Sequence, residues 1–173
     1  MQLVKIPTQN NLYAALFKLL NILGPIAGIS IIVASSTIAY LQTRPQHLPI
    51  THTLTYHNRT FYLEVATKPV ELEKGLKFRN HLPSDRGMLF NLGKEYKNVP
   101  FWMQQVKIPL DIIFLKDNVV TTVILNAPPC AKNPCPIYFG RVATQVLELS
   151  PGAIKIRVGE RLNIQPRMAR LKR

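Results

Sequence analysis

The sequence predicts a small α+β domain, mostly β, set behind an N-terminal transmembrane helix. Its core is barrel-like or a sandwich of about eight short strands with one clear helix. Three observations point there. Residues 19–41 carry no charge. Beyond them, short apolar runs alternate with polar residues and are broken by turn residues. Only one stretch of that region, following Pro69, has helical spacing.

The uncharged span lies between Lys18 and Arg44. Its 23 residues at about 1.5 Å each reach roughly 35 Å, enough for a hydrocarbon core of about 30 Å. The run is longer than a signal-peptide core of about 7–15 residues. An uncleaved signal anchor is therefore favoured over a cleaved signal, for which Thr37-Ile38-Ala39 offers a small-residue site. A buried soluble helix is the least favoured reading at this length. Lys5 and Lys18 precede the span while Arg44 and Arg59 follow it, so the basic residues are nearly balanced. The short first side has little to translocate. Residues 1–18 are accordingly placed in the cytoplasm, 19–41 in the membrane and the remainder outside the cytoplasm. Residues 42–50, with Pro45 and Pro49, read as a linker, 51–166 as the domain and 167–173 as a basic tail.

Lys and Arg number 22 against nine Asp and Glu, a net charge of +13. Three of these cations and none of the acids precede the domain, which leaves a net +10 in the domain and tail together. Arg157, Arg161, Arg167, Arg170, Lys172 and Arg173 make the end the most basic region. A charge run is first of all a solvated face; the sharper reading is attraction to an anionic lipid or polysaccharide near the membrane. Nucleic acid is not expected, because no binding motif accompanies the charge and the compartment is wrong.

Within the domain, residues 53–56 and 60–66 alternate around His57-Asn58-Arg59 and suit a hairpin. Phe61, Leu63 and Val65 share one face, and Tyr62 and Glu64 the other. Thr67 reads as a helix cap ahead of Pro69, whose missing amide is harmless there. Glu71 and Glu73 favour the positive end of that helix, with Lys74 and Lys77 further along. Leu72, Gly75, Leu76 and Phe78 supply its apolar face. Residues 79–86 read as a polar loop, Met88-Leu89-Phe90 as a strand, and 91–100 as a second loop. Phe101-Trp102-Met103 and residues 112–115 are compact apolar strands, and 119–125 pairs back through an Asp117-Asn118 turn. Residues 144–149 alternate and end at Pro151-Gly152. The last strand, 162–165, follows Val158-Gly159-Glu160.

Several ordered blocks carry a family resemblance. They are Ala66-Thr67 with Pro69, Glu71 and Gly75-Leu76; Arg79, Leu82-Pro83 and residues 85–90; Phe101-Trp102-Met103; residues 108–114; and Asn126-Ala127-Pro128-Pro129-Cys130 through Pro134-Cys135-Pro136. In these the chain resembles domain of unknown function family 192, from about residue 61 to 164. The resemblance implies a compact β-rich fold, often exported, and carries no activity with it. Lys77 stands where the family usually has Met, and Gln104-Gln105 where a Lys-Asn pair is common. The segment between Leu149 and Val158 is shorter than the family's, which usually fits a helix there.

Cys130 and Cys135 are the only cysteines. Their Cys-x4-Cys spacing, among Pro128, Pro129, Pro134 and Pro136, suits a structural disulfide outside the cytoplasm. Free or regulatory thiols come next, and a metal last, since no second Cys or His pair lies nearby. His47, His52, His57 and His81 form no plausible metal set, and no cofactor motif is visible.

Asp111 stands between Leu110 and Ile112, where an ionised carboxylate is costly unless paired. It reads first as a structural partner for backbone amides or an Arg, and second as a functional group. Asp85 suits the Ser84-Asp85-Arg86-Gly87 turn; with Asp111 in one cleft it would allow paired-carboxylate chemistry on a glycan. Arg79 suits an anion clamp or an ion pair with Asp85 or Asp111. Core packing is the first explanation for Trp102, a ligand-stacking platform beside Gln104 and Gln105 the second. Asn126 suits ordering of the proline loop through its side chain. Three functions compete. A non-catalytic, membrane-tethered envelope domain with an anionic or carbohydrate partner is favoured over an envelope hydrolase using Asp111 and Asp85. A thiol-linked accessory protein acting through Cys130 and Cys135 comes third.

Overall fold

The structure is a computed structural model and describes residues 9–167. The chain forms two compact units divided after Arg44. The first is α1 (Gln9–Gln42), of which Leu16–Gln42 is long and apolar enough to cross a membrane. Ile22, Ile31 and Ile32 are each more than 60% exposed, so this is not a core helix. Three of its hydroxyls bond back onto the helix: Ser30, Ser35 and Thr37 donate to the carbonyls of Ile26, Ile32 and Val33. Such back-bonding hides hydroxyls that apolar surroundings would otherwise penalise. At the helix end the Arg44 guanidinium lies 4.4 Å from the Tyr40 ring centre.

The second unit is one mixed sheet of seven strands, in the order β5-β4-β6-β3-β2-β1-β7. The strands are β1 (Ile50–Tyr56), β2 (Arg59–Ala66), β3 (Arg86–Trp102), β4 (Leu110–Lys116), β5 (Val119–Ala127), β6 (Ile137–Leu149) and β7 (Asn163–Pro166). Every pairing is antiparallel except β2 with β3, whose crossover holds the short helix α2 (Pro69–Lys74). A parallel pair needs such a crossover. Alternation places apolar residues on both faces. Met88, Phe90, Ile112, Phe114 and Val146 pack with Leu76 on one side. Leu54, Phe61, Leu63, Ile113, Leu147 and Leu162 pack on the other. The result is sandwich-like and not a closed barrel.

The two hairpins stand where local chemistry puts them. His57 has φ 49°, and Asp117 and Asn118 have φ 50° and 64°, as tight two-residue turns between strands require. Three expectations need correction. The seven strands agree with the eight or so expected; the first correction is that residues 91–100 are not a loop. They belong to β3, seventeen residues long, which pairs with β6 through Tyr96↔Ala143, Lys97↔Val142 and Val99↔Gly140 after a bulge. This arm is largely solvated, so its side chains look loop-like, while its backbone rejoins the β6 ladder from Tyr96 onward. Gly140 is needed there because a Cβ would lie 2.1 Å from Phe114.

The helix cap is also displaced. Lys68 occupies the cap position. The Glu71 carboxylate reaches back to accept from the Thr67 and Lys68 amides. Those two bonds hold the Glu71 carboxyl below its ordinary value. Residues read as a linker are built into the fold from Gln46 onward. The Gln46 amide donates to the Glu71 and Gly75 carbonyls at 2.8 and 3.0 Å, supplying partners that a helix C-terminus lacks. Leu48 donates its N–H to Glu64 Oε2 at 2.6 Å and packs against the first apolar cluster.

Candidate functional site

Register, not sequence proximity, assembles the site. Glu64 on β2 pairs with Met88 on β3, Met88 with Glu148 on β6, and Glu148 with Ile112 on β4. One row across one face therefore carries two carboxylates about 10 Å apart at Cα, given a strand spacing of about 4.8 Å. Both are buried, at 8% and 2% exposure. The loop after α2 delivers a single cation to them. Arg79 Nη1 and Nη2 donate to Glu64 Oε1 and Oε2, each at 2.7 Å, and Nη2 also donates to the Gln46 carbonyl. This two-pronged pairing is the strongest arrangement available to a guanidinium. Arg79 is thus committed to Glu64, not to Asp85 or Asp111, and is 5% exposed.

Glu148 is left over. Its Oε2 is buried without a hydrogen-bond partner. Burial pushes its carboxyl up to about 8, against an opposing pull from Arg79. It lies at the floor of a cavity of about 150 Å³. Leu72, Gly75, Leu76 and Lys77 wall one side, and Phe90, Pro100, Phe101 and Trp102 the other. The aromatic wall is fixed by edge-to-face contacts: Phe101 lies 5.0 Å from Phe90 and 6.1 Å from Phe114, centre to centre. Because Phe101 turns inward, alternation turns Trp102 out, and it is 47% exposed. Core packing is therefore not the explanation for Trp102.

Gln104 and Gln105 do not line this cavity; they buckle its wall to the cysteine loop. Gln105 N–H donates to the Cys130 carbonyl at 2.7 Å, Cys130 N–H to Val106 at 3.1 Å, and Phe78 N–H to Gln105 at 2.9 Å. Gln104 forms a bridge to Cys130. Cys130 and Cys135 are joined in a disulfide. Serine at both positions is expected to lower stability by about 2 kcal/mol, because a loop this short restricts the unfolded chain only modestly. Urea unfolding of the full chain, followed by tryptophan emission, measures the change; a loss above about 4 kcal/mol would mean the bond does more than close a loop.

Asp111 lies elsewhere, 2% exposed on β4. Its Oδ1 accepts from the Asn126 N–H and its Oδ2 from the Gly152 N–H, both at 2.7 Å. Asn126 contributes through its backbone, at φ 51°, and not through its side chain as expected. Asp111 borders a second cavity, of about 570 Å³, with His57, Asn126, Gly152 and Arg157. Asp85 is not among the residues lining it. The Asp85 carboxylate sits on an exposed turn, 3.9 Å from the Arg86 Nε. Among the described residues no three His, Cys, Asp or Glu side chains gather as a metal group. Of the basic tail, Arg167 donates its N–H to Thr51, and residues 168–173 lie outside the described residues.

Glu148 and Glu64 are the functional candidates that pattern reading passes over. Each sits in a cleanly alternating strand, where a Glu reads as the wet face. The signal is available only once β2, β3 and β6 are aligned side by side.

The fold and the cavity define a small β-rich domain: one mixed sheet, with a recess walled by a short crossover helix. The chain belongs to domain of unknown function family 192, DUF192, described as uncharacterized, whose profile matches residues 51–164. Two solved structures are similar to it. One is a candidate transcription regulator from Sinorhizobium meliloti 1021, 28% identical, with a TM-score of 0.57 over 66% of this chain and 91% of that one. The other is a protein of unknown function from Novosphingobium aromaticivorans DSM 12444, 31% identical, with a TM-score of 0.55 over 65% and 83%. No curated protein matches the chain.

Proposed function

We propose that the chain is a membrane-tethered, extracytoplasmic binding domain that holds a carbohydrate beside Trp102 without transforming it. One observation carries this reading: a half-exposed tryptophan is among the residues lining a cavity of about 150 Å³. A cavity of about that size has room for a six-membered ring, and an indole face is a natural stacking partner for the C–H face of a sugar. The apolar length of α1 supports the tether, and the disulfide supports an oxidising compartment. An anionic ligand would meet Lys74 and Lys77 among the lining residues, but the one buried guanidinium, Arg79, is held by Glu64. Nucleic-acid binding has little support, since the helix of this unit is six residues long and carries Glu71 and Glu73.

Trp102 is the only tryptophan, so its emission reports on the cavity directly. The full chain in nanodiscs of zwitterionic lipid, titrated with tri-N-acetylchitotriose, is expected to show a saturable emission change. Trp102→Phe, followed by calorimetry, should still bind the sugar, but more weakly than the parent. Trp102→Ala should weaken it about five- to tenfold, as the loss of one aromatic contact implies. Binding of trigalacturonate in preference to the neutral sugar, or an Ala variant that binds as well as the parent, would overturn the reading.

A further inference from the structure

We propose that Glu148 is the polar anchor of the Trp102 cavity: its un-ionised carboxyl donates a hydrogen bond to an oxygen of an uncharged sugar ring or acetamido group. This rests on the carbohydrate reading above and specifies its chemistry. Among the residues lining the cavity, Glu148 is the one with a buried side-chain atom, Oε2, that lacks a partner. A buried polar atom left open is either watered or kept for a ligand, and here it borders an opening that reaches the surface beside Trp102.

The charge arrangement explains the protonation. Two carboxylates, Glu64 and Glu148, share a face with one guanidinium, and Arg79 is engaged by both oxygens of Glu64. In register, Glu148 is flanked by Met88 and Ile112, which offer no charge. From α2 and the residues after it, Glu73, Lys74 and Lys77 face the cavity at its rim. Ionising Glu148 therefore places a second negative charge in a buried site whose one cation gives both Nη atoms to Glu64 and keeps only a buried, unpartnered Nε, so burial outweighs the pull of Arg79 and holds the carboxyl up to about 8. A neutral acid in an apolar pocket is a hydrogen-bond donor, which an ionised one is not. The sign follows. Below about 8 the donor is present; as pH rises through that value the proton is lost and the bond with it.

The test is the pH dependence of binding in the full chain in zwitterionic nanodiscs, with tri-N-acetylchitotriose and trigalacturonate as probes. Wild type is expected to bind the neutral probe evenly to pH 7 and then to lose roughly thirtyfold by pH 9.5, as the neutral fraction falls. Glu148→Gln keeps shape and a donor, so it should bind within about threefold of wild type at pH 6 with a flat profile. Without any sugar, Trp102 emission of wild type should show a transition near 8 that the Gln variant lacks. A flat wild-type profile with binding still dependent on Trp102 would sink the Glu148 assignment and leave the carbohydrate reading standing. An emission transition that depends on Glu148, with no binding of either probe, would sink both the anchor and the carbohydrate reading. Preference for trigalacturonate would also overturn both.

Discussion

Arg79→Met is expected to destabilise the domain by about 3–5 kcal/mol. The substitution keeps an unbranched apolar stem but leaves Glu64, 8% exposed, as a buried carboxylate whose two strongest donors are gone. The Gln46 carbonyl loses its donor at 2.6 Å in the same step, so the segment ahead of β1 loosens from α2. Glu64 keeps only the Leu48 N–H. The cost arises from the orphaned charge and not from the pair as such, because a buried ion pair adds little net stability beyond its own desolvation. The double variant Glu64→Gln with Arg79→Met should accordingly recover much of the loss. Urea unfolding followed by Trp102 emission measures all three. A single-variant loss under about 1 kcal/mol, or a double variant as unstable as the sum of the singles, contradicts a buried charge pair. The same variant also removes the cation that opposes the upward push on Glu148, so the ligand-free emission transition should move to higher pH.

These two acids show how far the sequence is legible. The features set by neighbours along the chain are readable directly: the charge-free helix, the hairpin around His57-Asn58-Arg59, the Asp117-Asn118 turn and the Pro69 helix start. Each depends on a local rule of backbone sterics, turn chemistry or apolar length. The cysteine pair belongs with them, being close in sequence. What is not readable depends on register between strands far apart in the chain. Glu64 and Glu148 are 84 positions apart, and nothing in either strand alone reveals that they share a face with a single Arg. The arm of β3 fails for the converse reason. Its side chains are polar because it is solvated, and its backbone partners sit on β6, some 40 residues downstream. Trp102 is open to both readings in the sequence, since whether Phe101 or Trp102 turns inward depends on Phe90 and Phe114, which Phe101 meets edge to face.

Asp111→Asn is expected to cost about 2–3 kcal/mol, and the reason distinguishes a structural carboxylate from a reactive one. Both oxygens of Asp111 are engaged by backbone N–H groups, from Asn126 and Gly152 at 2.7 Å. Asn offers one acceptor oxygen in place of two, so its NH₂ must face one of those donors and leaves it buried and unmet. The residues it holds have φ of 51° and 69°, conformations that an unpinned chain adopts reluctantly, Asn126 more so than Gly152. Asp111 thus ties the end of β5 to the turn after β6, and removing one bond loosens both. Asp85→Asn, on an exposed turn, should change stability by less than about 0.5 kcal/mol. Because Asp111 does not line the Trp102 cavity, the folded fraction of the Asn variant should bind tri-N-acetylchitotriose with wild-type affinity. A fall in affinity without a fall in stability would reverse the assignment. It would mean that the carboxylate at the Asn126–Gly152 turns acts on a ligand, and that the larger cavity beside it, not the tryptophan recess, is where the chemistry of this domain resides.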